Sequence, residues 1–215
     1  NSSVLIDDGN ITNVYGGGNE AVTDNPVVKI SGGNISKNIY GGGNQAIVTN
    51  STNVSVIGGS IGGSVYGGGN GQTAIVNKNT LVNISDKANI TKHVFGGGNA
   101  AATGNSENDN STSTVNIAGG TIKGSVYGGA NTSVVYGEAF VNIGENVISD
   151  KTLTKSDIDI AGTIFGGGEA NESGSEIYDY SFISVTVGIN IKIDGKGYDN
   201  FAMHGSIFGS GNASS

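Results

Sequence analysis

A short motif that repeats seven times along the chain constrains its fold more than any other feature. Each copy has a branched aliphatic residue, then an aromatic residue, then glycine. Successive aromatic residues are 25, 26, 29, 32, 38 and 43 residues apart. Periods in this range are typical of solenoids, in which each repeat packs only on its neighbours. The aromatic residues are Tyr15, Tyr40, Tyr66, Phe95, Tyr127, Phe165 and Phe208.

Each repeat also contains a short alternation of apolar and polar residues, such as Val54-Ser55-Val56. A period of two with β-branched residues predicts a half-buried strand. A turn follows, marked by pairs such as Gly58-Gly59, and an isoleucine such as Ile61 then returns to the interior. A weaker apolar stretch after the aromatic motif, such as Ala74-Ile75-Val76, is the third strand candidate. We therefore predict three short strands and three bends in every coil.

The expected fold class is all-β, a parallel β-solenoid of about seven coils with longer insert loops toward the C-terminus. No stretch has the apolar spacing of a helix without glycine inside it, and 39 glycines favour turns over helices. A lone coil buries almost nothing, so stability has to come from stacking coils about 4.8 Å apart. We expect residues 1–215 to form a single domain of this kind.

With these repeats, the chain resembles the right-handed parallel β-helix of pectin-lyase-like proteins and of bacterial cell-surface proteins of the adhesin type. The resemblance covers nearly the whole chain, and it matches no named family with a defined activity. It implies right-handed winding, in line with the preference of parallel crossovers. It also implies an extracellular location, either secreted or on the bacterial cell surface. We expect the chain to be a segment of a larger surface protein whose flanking domains cover the open ends.

Composition excludes several classes of partner. The net charge is −8, and all ten basic residues are lysine, so the clustered basic groups that neutralise nucleic-acid phosphates are missing. Cysteine is absent, which removes disulfides and thiolate metal sites. No apolar run of membrane-spanning length occurs, so direct membrane insertion is not expected. The partners that we expect are a glycan or a host surface protein.

An asparagine follows the glycine run in six of the seven repeats, and Glu169 takes its place in the sixth. One such position per coil predicts a ladder along the solenoid. The favoured interpretation is structural, because stacked amides hydrogen-bond from coil to coil. The alternative is a row of amides that binds sugar hydroxyls. The ladder positions are Asn19, Asn44, Asn70, Asn99, Asn131 and Asn212.

The aromatic column has two interpretations as well. Adjacent residues on a strand face opposite ways, so Val65 and Tyr66 cannot both point into one interior. Either the rings stack in or at the edge of the core, or they form an exposed stripe that suits sugar rings. The presence of Phe95, Phe165 and Phe208 at this position slightly favours burial, because phenylalanine lacks the hydroxyl.

Acidic residues mark two enlarged regions, residues 100–114 and 169–182, that we expect to carry any recognition. The first contains Glu107 and Asp109. Calcium prefers such oxygen ligands, but the spacing matches no calcium-binding loop, so a solvated acidic loop is favoured and no cofactor is predicted. The candidate ligand-binding residues are Glu169, Glu172, Glu176, Tyr178, Asp179 and Tyr180.

Catalytic arrangements are weak in this sequence. Asp157 and Asp159 are the best pair of carboxylates on one strand face, but they also fit an ordinary half-exposed strand. His93 occupies a polar turn position, and nothing near His204 in the sequence completes a triad. The sequence therefore predicts a non-catalytic stalk or adhesin segment. The alternative is a carbohydrate-active module that binds or cleaves a polysaccharide along the long face of the solenoid.

Overall fold

The chain folds into a parallel β-solenoid, as the sequence predicts. The computed structural model describes residues 1–106, 110–144, 157–170, 189–194 and 200–213, and these ranges contain strands, turns and bends but no helix. None of these residues belongs to a helix long and apolar enough to cross a membrane. Three sheets of seven parallel strands run along the molecule, which confirms the all-β class and about seven coils.

Each coil contributes one strand to each of three sheets, which we name sheets A, B and C in the order the chain visits them. Coils 1 to 4 contain β1 (Ser3–Ile6), β2 (Asn10–Ile11), β3 (Val14–Tyr15), β4 (Val27–Ile30), β5 (Asn34–Ile35), β6 (Ile39–Tyr40), β7 (Thr52–Val56), β8 (Ser60–Ile61), β9 (Val65–Tyr66), β10 (Thr80–Ile84), β11 (Asn89–Ile90) and β12 (Val94–Phe95). Coils 5 to 7 contain β13 (Ser111–Ile117), β14 (Gly120–Ile122), β15 (Val126–Tyr127), β16 (Gly137–Gly144), β17 (Ile158–Ile160), β18 (Ile164–Phe165), β19 (Glu169–Ala170), β20 (Ile189–Asp194), β21 (Phe201–Met203), β22 (Ile207–Phe208) and β23 (Asn212–Ala213). Strands β19 and β23 form a separate two-stranded sheet.

The core consists of columns in which equivalent aliphatic residues stack from coil to coil. In sheet A, Val54 pairs in register with Val82, and that residue pairs with Val115. In sheet B, Ile61 pairs with Ile90 in the same way. All of these side chains are fully buried, and each contributes about 1.5–3 kcal/mol relative to an exposed position. Because every column continues through its neighbours, the coils stabilise one another rather than standing alone.

The third strand of each coil is the aromatic motif, and not the weaker apolar stretch that follows it. That stretch makes only single-residue bridges, such as Val48 with Val76. The residue after the ladder asparagine has a positive φ in four coils, at Gln45, Gly71, Ala100 and Thr132. A left-handed residue bends the chain, so the apolar stretch that follows does not continue an extended segment, and it pairs with neighbouring coils at single positions only. The prediction that the weaker apolar stretch, such as residues 74–76, forms the third strand is therefore wrong.

In coils 1 to 5, the glycine after the aromatic residue is required by the close approach of the next coil. A Cβ atom at Gly67 would lie 2.0 Å from the backbone oxygen of Gly96 in the next coil. Since that oxygen belongs to the backbone, it cannot move aside as a flexible side chain could. The repeated aromatic-glycine pair is thus a consequence of the coil spacing.

Candidate functional site

The aromatic residues form one continuous stack along the outer side of sheet C. Consecutive ring centroids are 4.6 to 5.3 Å apart, and the ring planes differ by 3 to 11°. Five rings are at least nine-tenths buried and form a second apolar cluster, separate from the aliphatic core. Tyr15 is partly buried against this cluster, and Phe208 is half exposed in coil 7. The rings in the middle coils are therefore covered and offer no open stripe to a sugar.

Burial also affects the tyrosine hydroxyls. The amide of Asn38 donates a hydrogen bond to the hydroxyl oxygen of Tyr40 at 2.9 Å, and burial raises the pKa of Tyr40 to about 12. The hydroxyl of Tyr127 donates to the carboxylate of Glu169 at 2.9 Å. Burial, followed by the negative charge of Glu169, raises the pKa of Tyr127 well above its usual range. These hydroxyls stay neutral at physiological pH and anchor the edge of the stack.

The asparagines after the glycine runs stack in a line and hydrogen-bond through their side chains. Each Nδ2 donates to the Oδ1 of the preceding coil, at 2.8 Å from Asn44 to Asn19 and 2.9 Å from Asn70 to Asn44. The ladder continues at 2.8 Å from Asn99 to Asn70 and from Asn131 to Asn99. Glu169 follows Asn131 in register, and its strand pairs with that of Asn212. These amides bind one another, which uses much of their capacity to bind a ligand.

Two further ladders were not predicted from the sequence. On the outer face of sheet A, Asn116 donates to Asn83 at 3.0 Å, and Asn142 donates to Asn116 at 2.9 Å. At the turn before sheet C, a polar side chain of one coil accepts a hydrogen bond from a backbone nitrogen of the next coil. His93 belongs to this second ladder, because its Nδ1 accepts from the backbone nitrogen of Ser125 at 3.0 Å. The signal for both ladders was present as a polar residue at the same position of successive repeats.

Only part of the predicted acidic site lies among the described residues. Seven acidic or tyrosine residues of the two acidic regions lie outside the described residues: Glu107, Asp109, Glu172, Glu176, Tyr178, Asp179 and Tyr180. Glu169 is described, and it lies beside the aromatic stack as a partner of Tyr127. In the described part of the chain, no group of three or more acidic or histidine side chains is placed to hold a metal ion.

In the first acidic region, residues 100–114, more residues belong to the solenoid scaffold than the sequence predicts. Thr103 is fully buried and bridges the equivalent residues of the neighbouring coils, Val76 and Val135. Ser111 already belongs to strand β13. Within residues 100–114, the exposed described positions are Asn105, Ser106 and Asn110. Much of the predicted insert is therefore scaffold.

The structure brings together two side chains that the sequence had left apart. Nε2 of His204 lies 3.1 Å from Oδ1 of Asp159, and both side chains are at least half exposed. Beside them, the amide of Asn200 donates to Asp157 at 2.9 Å. Asp159 and His204 sit on neighbouring coils, because strands β17 and β21 pair in parallel. Their separation of 45 residues in the sequence hides this contact.

A groove of about 460 Å³ lies next to this pair, on the outer face of sheet B. Its floor contains Asn89, Gly120 and Thr121. The groove is also lined by the corner of coil 4, residues 86–88, and by Lys123 and Asp157. Thr121 is in register with both Asn89 and Asp159, so the floor leads directly to the Asp159–His204 pair.

Comparison with known proteins adds no relative: no protein family model, no curated protein and no solved structure matches the chain significantly.

Proposed function

We propose that this chain is a non-catalytic, rod-like segment of a bacterial cell-surface protein, where it serves as a stalk or an adhesin. The observation that supports the proposal most is that the sheets and the aromatic stack continue through all of the coils. The three sheets and the aromatic stack each run through seven coils. Such a scaffold suits a protein that holds a binding surface away from the cell, because each coil adds length and rigidity without requiring a new core.

The binding partner in this proposal is a host or environmental glycan, recognised through the insert loops that the sequence predicts. Loops that interrupt a regular repeat often form the binding face of a solenoid. The loops concerned are residues 105–110 and 171–182, taken from the two acidic regions that the sequence predicts at residues 100–114 and 169–182; residues 107–109 and 171–182 lie outside the described residues. Many weak contacts on adjacent proteins would then combine by avidity.

A glycan array probed with the isolated chain tests this proposal, together with a variant in which both loops are replaced by short glycine-serine linkers. We expect the wild-type chain to bind a subset of glycans and the linker variant to lose that binding. Wild-type binding to no glycan on the array would count against the adhesin role. Circular dichroism of the variant shows whether the solenoid remains folded.

A carbohydrate-active module is the second candidate, and the contact between Asp159 and His204 favours it. A carboxylate that orients a histidine is a common arrangement for a general base. The test is to incubate the chain with a panel of polysaccharides and measure new reducing ends. Release of reducing ends that disappears in Asp159→Asn would establish catalysis and overturn the non-catalytic proposal.

A further inference from the structure

The groove on sheet B lies where the repeat departs from its regular form. In coils 1, 2 and 3, three residues separate the sheet A strand from the sheet B strand. Coil 4 places four residues there, between Ile84 and Asn89, and Asp86 adopts a positive φ of 50°. In coil 6, thirteen residues, 145–157, lie between the two strands in the sequence, and only Asp157 of these is described. A left-handed residue is a regular feature of this corner, as at Gly9, Gly33, Gly59 and Gly120. Coil 4 differs in its extra residue and in placing a non-glycine residue, Asp86, in that conformation. Insertions into a regular repeat often lie on its binding face.

The side chains around the groove are polar and balanced in charge. Asp86 and Asp157 are acidic, and Lys87 and Lys123 are basic. The floor adds the hydroxyl of Thr121. Carboxylates accept hydrogen bonds, ammonium groups donate them, and the threonine hydroxyl does both. This mixture favours a ligand that carries no net charge and presents several donors and acceptors at its surface.

Asn89 supplies a second, independent indication of a ligand. Its Oδ1 is buried and has no hydrogen-bond partner among the described residues. A buried acceptor without a donor costs about 1–3 kcal/mol, so its occurrence on the floor of a groove requires an explanation. The side-chain amide turns about a broad, soft torsion. Because Asn89 lines the groove, a turn of this amide would allow a hydroxyl of a bound molecule to donate to Oδ1.

We propose that this groove binds a neutral, hydroxyl-rich ligand, namely one or two sugar residues of a glycan. Its volume falls in the range of small-molecule sites, about 300–1,000 Å³. Hydroxyls of the sugar donate to Asp86, Asp157 and Asn89, and accept from Lys123 and Thr121. This inference goes beyond the proposed function, because it places recognition on the scaffold of coils 4 to 6 and not on the two loops.

The test measures binding of neutral tetrasaccharides by isothermal titration calorimetry. The panel contains oligomers of glucose, galactose, mannose and N-acetylglucosamine, at up to about 10 mM because open polar sites bind sugars weakly. Two variants probe the groove, Lys123→Met, which removes the ammonium at similar length, and Thr121→Val, which removes only the floor hydroxyl. We expect at least one tetrasaccharide to bind and Lys123→Met to lower its affinity by at least about tenfold.

Matched controls separate this site from the rest of the surface. Ser60 occupies the position of Thr121 in coil 3, and Lys37 is an exposed lysine of coil 2. Ser60→Ala and Lys37→Met should leave the affinity unchanged. The variant with both loops replaced should also keep this binding, which distinguishes the groove from the loops of the proposed function.

Three results would overturn the inference. One is that no tetrasaccharide binds, and another is that the groove variants bind as well as the wild-type chain. The third is that a panel of free amino acids binds in place of the sugars, since opposite charges around a groove also suit a zwitterion. Each result is readable from folded protein, because Lys123 and Thr121 lie at the surface and neither belongs to the buried core.

Discussion

The ladders and the groove follow opposite rules of residue use. Along the asparagine ladder, the same residue type recurs from coil to coil, and each side chain contacts its own equivalent, as Asn70 does with Asn44 and Asn99. Around the groove, Asn89, Thr121 and Asp159 share one column of sheet B but differ in chemistry. A contact between identical neighbours stabilises the stack. A column whose residues change from coil to coil contributes less to stacking and leaves its side chains available to something else.

The largest effect that we predict concerns the glycine after the aromatic residue. In Gly67→Ala, the new Cβ would lie 2.0 Å from a backbone oxygen of the next coil, so the stack must open locally. We expect a loss of about 3 kcal/mol or more in the free energy of unfolding, measured by chemical denaturation. The matched control is Gly209→Ala, since a Cβ at Gly209 meets nothing within 4 Å. Equal losses in both variants would show that coil spacing is not the cause.

A smaller effect is expected from the asparagine ladder. Asn70→Ala removes one hydrogen bond to Asn44 and one from Asn99, and leaves their amides partly unpaired. The expected loss is about 1–3 kcal/mol, seen as a lower melting temperature. Asn19→Ala removes a single bond at an exposed first rung and should cost clearly less. An unchanged melting temperature in Asn70→Ala would contradict a structural role for the ladder.

Because most tyrosines of the stack are buried, we expect the folded protein to lose stability at alkaline pH. Burial raises the pKa of Tyr40 from 10.0 to about 12, so the unfolded chain loses this proton at lower pH than the folded chain does. The stability that depends on the neutral hydroxyl is fully present below pH 10 and falls as pH rises toward 12. Melting temperatures measured across this range should drop, and Tyr40→Phe should flatten part of the drop. A variant with the same pH profile as the wild-type chain would refute this contribution.

The smallest effect on stability should come from the groove. Lys123 is exposed, and its backbone nitrogen already bonds to Ile90. Replacing its side chain in Lys123→Met should change the free energy of unfolding by no more than about 0.5 kcal/mol. Denaturation of this variant alongside Asn70→Ala sharpens the contrast between ladder and groove. A large loss in Lys123→Met would mean that the groove is part of the scaffold.

The repeat, the number of coils and the columns could be predicted from the sequence. In a solenoid the same contact is made in every coil, so the residues that make it recur along the chain. Sequence reasoning placed the third strand wrongly, because the apolar stretch after the aromatic motif has the residue types of a strand but pairs with neighbouring coils only through single-residue bridges. It also left open whether the aromatic stack is buried. The rings form an apolar cluster separate from the aliphatic core. Both residues of each two-residue strand can therefore be buried although they face opposite ways.

The groove and the contact of Asp159 with His204 could not be predicted from the sequence, for a different reason. Both depend on which coils become neighbours and on how far each corner projects. Insertions of unequal length hide that register in the sequence, as the 45 residues between Asp159 and His204 show. A repeat template aligns the columns, but the chemistry of a column emerges only when its changing members are placed side by side.

Thermal melting with and without a neutral tetrasaccharide panel tests the central claim most directly, because one experiment reports stability and binding together. The three samples are the wild-type chain, Asn70→Ala and Lys123→Met. We predict that Asn70→Ala melts at lower temperature yet is still stabilised by the sugar, whereas Lys123→Met melts like the wild-type chain and loses that stabilisation. The opposite pattern, or sugar stabilisation that is lost equally in both variants, would contradict the separation of a stabilising ladder from a binding groove.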